Sequence, residues 1–81
     1  MGPKNKSFSS KKKIEGSYAN YFKVGHNAFE FVIDFGQYYT GTEEAELCHR
    51  IVTGPVYAKK LLKILEQSVQ QYESAFGMIK E

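Results

Sequence analysis

The chain has 81 residues, a formal net charge of +2 and one cysteine, Cys48, so it is one small domain without an intrachain disulfide. No apolar run approaches the roughly 20 residues that a membrane-spanning helix needs. The N-terminus also lacks the hydrophobic stretch of a signal peptide. We therefore expect a soluble protein of the reducing cytoplasm.

The N-terminal segment, residues 1–16, is predicted to be a flexible lysine-rich tail, and residues 17–81 form a single domain. Phe8 and Ile14 are its only sizeable apolar residues, too few to offset the entropy of ordering. One interpretation is a solubilising tail. The other is an arm that binds nucleic acid or another polyanion without sequence preference. Its candidate contacts are Lys11, Lys12 and Lys13.

The first strand is predicted over residues 18–24. Phe22 and Val24 fall on one face, with the period of two typical of a strand. Residues 25–27, Gly-His-Asn, then contain two residue types that accept the positive φ of a tight turn. We therefore predict a hairpin turn centred on His26, which either stabilises the turn or contacts a partner.

The second strand runs up to Gly36 and has one fully apolar face. Its opposite face carries Glu30 and Asp34, so we expect that face to be wet or at the margin of an interface. Their carboxylates are expected to be solvated or paired with a lysine such as Lys23. The apolar face, which we expect to be buried, consists of Phe29, Phe31, Ile33 and Phe35.

A connection with a turn at Thr40 and Gly41 leads to a third strand, predicted over residues 47–52. The connection contains Tyr38 and Tyr39, which are candidates for exposed contacts because tyrosine keeps a polar end in water.

A long helix follows, predicted from Pro55 to a stop at Gly77. Its apolar residues recur at steps of four and three, which is the helical period. We expect the first part of this stripe to cover the chain's own sheet. Leu61 and Ile64 widen the stripe beyond what three short strands cover. The stripe consists of Ala58, Leu62, Leu65, Val69, Tyr72 and Phe76.

The residue patterns of these strands and of the helix resemble those of the small prokaryotic proteins grouped as domain-of-unknown-function family 3467. The similarity covers about residues 18–79 and departs at Gly54, where the family favours serine. It implies the β-β-β-α fold and brings no activity. The matching residues are Tyr18, Ala19, Asn20, Val24, His26, Glu30, Phe31, Phe35, Gly36, Pro55, Ala58, Lys59, Leu61, Tyr72, Glu73, Phe76 and Gly77.

Catalytic chemistry is not indicated. Cys48 and His49 are adjacent, but successive strand residues point to opposite faces and do not readily bind one metal ion. A nucleophilic cysteine also needs a positioned base, and Arg50 supplies only a positive neighbour. We expect no catalytic, metal or cofactor site. An enzyme using His26, Cys48 or His49 is kept as a third hypothesis.

The sequence thus predicts an α+β fold, with a three-stranded antiparallel sheet followed by one long C-terminal helix. A domain of this size buries only about 60% of its unfolded surface, so we expect a homodimer with a shared core. Edge pairing and helix packing stay open as its geometry.

The leading functional hypothesis is a small non-catalytic interaction, scaffold or chaperone-like accessory protein acting as a homodimer. The alternative is a nonspecific nucleic-acid-binding protein that uses the N-terminal tail. Lysines in the first helical turns oppose the helix dipole and indicate a site for an acidic partner, for which the chain's own acidic loop, Glu43 to Glu46, is one candidate. The possible partner contacts are His26, Tyr38, Tyr39, Lys59, Lys60 and Lys63.

Overall fold

The computed structural model describes residues 14–81 and contains three strands followed by one helix. The elements are β1 (Tyr21–His26), β2 (Phe31–Gln37), β3 (Glu46–Thr53) and α1 (Pro55–Phe76). The strands form one antiparallel sheet in the order β1-β2-β3. The α+β fold predicted from the sequence is confirmed, and β3 extends one residue beyond its predicted span at each end.

The turn between β1 and β2 lies later than the sequence predicts. His26 is not in the turn: it pairs with Phe31, and their rings stack with centroids 5.4 Å apart. Asn27 makes the turn instead, because its side-chain oxygen accepts hydrogen bonds from the backbone N–H groups of Phe29 and Glu30 at 2.8 and 3.0 Å. Phe29 therefore leaves the apolar face of β2 and is 84% exposed.

A bulge interrupts the pairing of β2 with β3. Phe35 pairs with His49, and the next residue, Gly36, pairs with Leu47, so Cys48 has no residue opposite it. Gly36 is buried at this point. The two strands come close here because glycine has no side chain to separate them.

The segment before β1 continues along β2 without becoming a strand. Asn20 donates its side-chain amide to the carbonyl of Tyr38 and accepts the N–H of Tyr38, at 3.1 and 2.8 Å. The side chain of Gln37 donates to the carbonyl of Tyr18 at 2.9 Å. Within the strand predicted over residues 18–24, the first residues are thus held by side-chain hydrogen bonds. Only the later ones belong to a strand, β1.

The helix bounds agree with the sequence prediction. Pro55 occupies the first turn, where its missing N–H leaves no bond unmade, and Gly54 precedes it in an extended conformation. Gly77 ends the helix with φ of 100°, and its N–H bonds to the carbonyl of Glu73. A positive φ of this kind is readily adopted only by glycine.

Within residues 14–81, α1 makes no extensive packing contact with any strand. The expectation that the helix covers its own sheet is therefore wrong for the single chain. Gly54 alone separates β3 from the helix, and Pro55 fixes the chain direction at once. The helix leaves the sheet instead of folding back over it, and both apolar surfaces stay open.

Candidate functional site

One face of the sheet carries a cluster of apolar side chains, here called the sheet patch. Register places three of them on the central strand and three on the strands beside it. Phe22 and Phe35 meet edge to face with ring centroids 5.8 Å apart. Phe22 is nevertheless 58% exposed, and Val24 is 60% exposed. The sheet patch consists of Phe22, Val24, Phe31, Ile33, Phe35 and Ile51.

The helix carries a second apolar surface, here called the helix stripe, with the six residues predicted from the sequence. None of the helical residues is buried, and Leu65, near the middle, is 58% exposed. The rings of Tyr72 and Phe76 lie 5.0 Å apart between centroids near the C-terminal end, tilted by 46° to each other. The helix stripe consists of Ala58, Leu62, Leu65, Val69, Tyr72 and Phe76.

An ion pair occupies the opposite face of the sheet. Asp34 of β2 lies across from Arg50 of β3, and its two carboxylate oxygens accept hydrogen bonds from Nε and Nη2 at 2.7 and 2.9 Å. Asp34 is 4% exposed, which corrects the expectation of a solvated or lysine-paired carboxylate. Arg50 covers it from outside, with a side chain that is 65% exposed. The pair ties β2 to β3 in a fixed register.

The hydrogen bond from Arg50 holds the pKa of the Asp34 carboxyl below its usual range, against the opposing effect of desolvation; the charges of Arg50 and Lys23 add to the lowering. The same bond raises the pKa of Arg50. A carboxyl whose folded-state pKa is depressed stabilises the fold above its unfolded-state pKa, about 3.9, and that contribution is lost as the pH falls through the folded-state pKa.

We therefore expect Asp34→Asn to flatten the acid limb of the stability curve below about pH 4. Thermal midpoints measured from pH 2 to pH 7 check this, at one protein concentration. Glu30→Gln, which removes an exposed carboxylate from the adjoining turn, is the control and should keep the native acid limb. An Asp34 carboxyl carbon that titrates at or above the usual pKa in NMR would contradict the assignment.

The predicted partner contacts lie in three separate places. His26 is in β1, against Phe31. Tyr38 and Tyr39 are in the connection after β2, 46% and 55% exposed as predicted, and the Tyr39 hydroxyl donates to Gln37 Oε1. The helical lysines Lys59, Lys60 and Lys63 are exposed near the start of α1, and Lys60 Nζ lies 5.8 Å from the ring centroid of Tyr57. The tail lysines Lys11, Lys12 and Lys13 lie outside the described residues.

Cys48 and His49 lie beside a shallow open depression on β3, which Asp34, Leu47 and Arg50 also line. Cys48 is exposed and lies at the bulge, with no residue opposite it on β2. His49 Nε2 lies 3.2 Å from the hydroxyl of Ser17. Among residues 14–81 no three His, Cys, Asp or Glu side chains gather in a way that could hold a metal ion.

Sequence reasoning missed the structural roles of Asp34, Arg50 and Gly36. A signal was present for the first two. Asp34 is the only carboxylate within the otherwise apolar β2, and Arg50, the single arginine of the chain, lies on the next strand. Pairing the two strands in register would have placed them opposite each other. Gly36 gave no such signal, because a glycine at a strand end also fits a simple stop.

Fold and surface together define a small α+β protein in which the sheet and the helix each carry an uncovered apolar surface. In the described part of the chain, the helix is not long and apolar enough to cross a membrane. The family model described as "Protein of unknown function (DUF3467)" matches residues 4–81. The chain belongs to this family, which confirms the resemblance, and the match begins within the predicted tail. Neither a curated protein nor a solved structure matches the chain.

Proposed function

We propose that the protein acts as a homodimer that serves as a small non-catalytic interaction or scaffold protein. The observation that carries the proposal is the pair of uncovered surfaces in one chain, the sheet patch and the helix stripe. Between residues 14 and 81, no apolar side chain is buried. A domain gains most of its stability from buried apolar surface, so a chain of this shape needs a second surface to fold against.

The amount of open surface fits a stable interface. Eight of the twelve side chains in the two surfaces are 37–76% exposed. At about half of the roughly 200 Å² that a large apolar side chain can bury, they expose on the order of 800 Å² per chain. A standard protein interface buries about 800 Å² per partner, and monomers rarely leave so much apolar surface in contact with water.

A second copy of the chain is the occupant that these surfaces fit best. A two-fold axis brings the same surface of two copies together, so two copies can pack helix stripe against helix stripe and sheet patch against sheet patch. The helix of 22 residues is about 33 Å long, which is enough for a helix–helix contact of about three heptads.

Surfaces outside the proposed dimer contact supply the interaction role. Tyr38 and Tyr39 stand together in the connection between β2 and β3, both about half exposed. Tyrosine is enriched in protein interfaces because it buries a large ring while keeping a hydroxyl bond. The connection is held by Asn20 and Gln37, so the two rings are presented from a supported loop.

Purification of the tagged full chain from the cells that produce it tests both parts of the proposal. We expect light scattering to give a species with at least two copies of the chain, with a second protein in stoichiometric amount. Tyr38→Ala/Tyr39→Ala, the matched variant, should lose the second protein and keep the dimer mass. A single-chain mass contradicts the dimer, and a dimer repeatedly isolated alone contradicts the interaction role.

A further inference from the structure

The helix stripe follows the pattern of a coiled-coil seam. Its six residues alternate by steps of four and three along α1, which is the spacing of the two core positions of a heptad. Residues directly beside such a seam face the neighbouring helix across its edge, and their charges decide partner and orientation. The two edges of this seam differ sharply in charge.

One edge of the seam carries three charged residues, Lys59, Glu66 and Glu73, each seven positions after the last. From the N-terminal to the C-terminal end of α1 they read positive, negative, negative. The other edge carries Leu61, Ser68 and Ala75, which have no charge. All the charged residues that border the seam therefore lie along one edge.

Helix orientation decides what these charges meet. In a parallel pair each charged edge faces the uncharged edge of the other copy, so no ion pair forms across the seam. In an antiparallel pair the charged edges face each other. Lys59 of each copy then lies opposite Glu73 of the other, which makes two such pairs. The two Glu66 side chains meet at the two-fold axis. Two attractive contacts then stand against one repulsive contact, and each changes affinity by about two- to fivefold.

The helix ends point to the same orientation independently. The first turn of α1 has no acidic residue and the last turn has no basic residue, so neither end of the macrodipole is complemented by the helix's own end residues. Lys59 lies close to its own positive end, and Glu73 lies close to its own negative end. An antiparallel second helix brings its Glu73 level with Lys59 near the N-terminal end, and its Lys59 level with Glu73 near the C-terminal end, so each charge lies nearer the helix end of opposite sign.

Both groups are available for this contact. Lys59 is exposed and makes no ion pair within the part of the chain that the structure describes. Glu73 is half-buried, and its Oε2 accepts the backbone N–H of Ile79 at 3.0 Å. That bond holds the carboxylate at the end of the helix and leaves the other oxygen free for a lysine ammonium.

We propose, resting on the homodimer proposed above, that the two copies pack their α1 helices antiparallel, with Lys59 of each chain paired to Glu73 of the other. The contact surface is the helix stripe together with its charged edge. Glu66 lies at the two-fold axis, where its partner is the same carboxylate of the second copy.

A charge-reversal cycle tests the orientation. Lys59→Glu and Glu73→Lys should each raise the dimer dissociation constant on the order of tenfold, because each replaces two attractions by two repulsions. The double variant should return to within about threefold of the native value. Within one helix these residues are about 21 Å apart, so rescue reports contact between chains. Sedimentation equilibrium measures the constants, with Lys63→Glu on the outer face as the control.

The helix dipole cannot mimic this result, since an acidic residue near the start of α1 favours the helix. As a second readout, Lys59→Cys and Glu73→Cys chains are mixed, both with Cys48→Ser. Antiparallel packing predicts a disulfide only between the two different chains. Dimers that form without rescue and without the mixed disulfide would overturn the orientation and leave the homodimer standing. A native chain that sediments as a monomer would overturn both.

Discussion

A glutamate in place of Leu65 is expected to separate the dimer into single chains. Leu65 lies in the middle of the helix stripe and is 58% exposed in one chain, so the new carboxylate would be hydrated there. In the dimer it would be buried among apolar side chains without a partner, which costs several kcal/mol. We expect the dissociation constant to rise by about 100-fold or more, measured by light scattering over a dilution series.

Gln67→Glu is the matched control for this substitution. It adds the same charge two positions along α1, about 200° around the helix and away from the stripe. This variant should dimerise like the native chain. If Leu65→Glu also kept the native dissociation constant, the helix stripe would face water in the functional molecule and the proposed interface would be wrong.

Far-UV circular dichroism separates loss of association from loss of structure in the same variant. If the shared core forms only on dimerisation, helix content should fall together with dimer mass as Leu65→Glu is diluted. In proteins most helix stability comes from tertiary packing of an amphipathic face, and α1 has no buried residue in a single chain. Retained helix in a monomer would mean that contacts within one chain suffice to hold α1.

The helix and strands were predictable from the sequence because the spacing of their apolar residues and the residues at their ends indicate the same boundaries. Pro55 and Gly77 fix the helix ends for backbone reasons that act locally. The β1–β2 turn was misplaced because glycine and asparagine suit both a turn and a strand end. Which one they form depended on Asn27, whose side chain bonds to two backbone N–H groups further along.

The uncovered surfaces were harder to predict, because periodicity identifies an apolar face without identifying what covers it. The helix stripe was found residue by residue, and its assignment to the chain's own sheet was wrong. The direction of the helix depends on the connection between β3 and α1, which is the single residue Gly54, followed by Pro55. This connection is too short and too rigid for the helix to fold back over the sheet. Asp34 was misassigned for a related reason: its burial depends on Arg50 across the strand pair, a long-range contact.

A methyl group at Gly36 is expected to destabilise the fold by about 1–3 kcal/mol, because the bulge leaves no room for it. A Cβ built there would lie 2.5 Å from the backbone oxygen of Glu46 and 3.1 Å from Leu47 Cδ2. The side chain of Leu47 can turn away, but the carbonyl belongs to the β2–β3 ladder and moves only with the strand. Gly36→Ala should therefore lower the midpoint of urea unfolding.

Gly25→Ala isolates this steric effect from the general effect of replacing glycine. Gly25 lies in β1, has no atom within 4 Å of a built Cβ, and neither glycine has a positive φ. Reduced freedom of the unfolded chain should leave Gly25→Ala neutral or more stable by up to about 1 kcal/mol. Both midpoints are compared at one protein concentration, since dimerisation adds to stability by mass action. Equal midpoints for the two variants would mean that β3 yields at the bulge and that Gly36 is not required for the strand pairing.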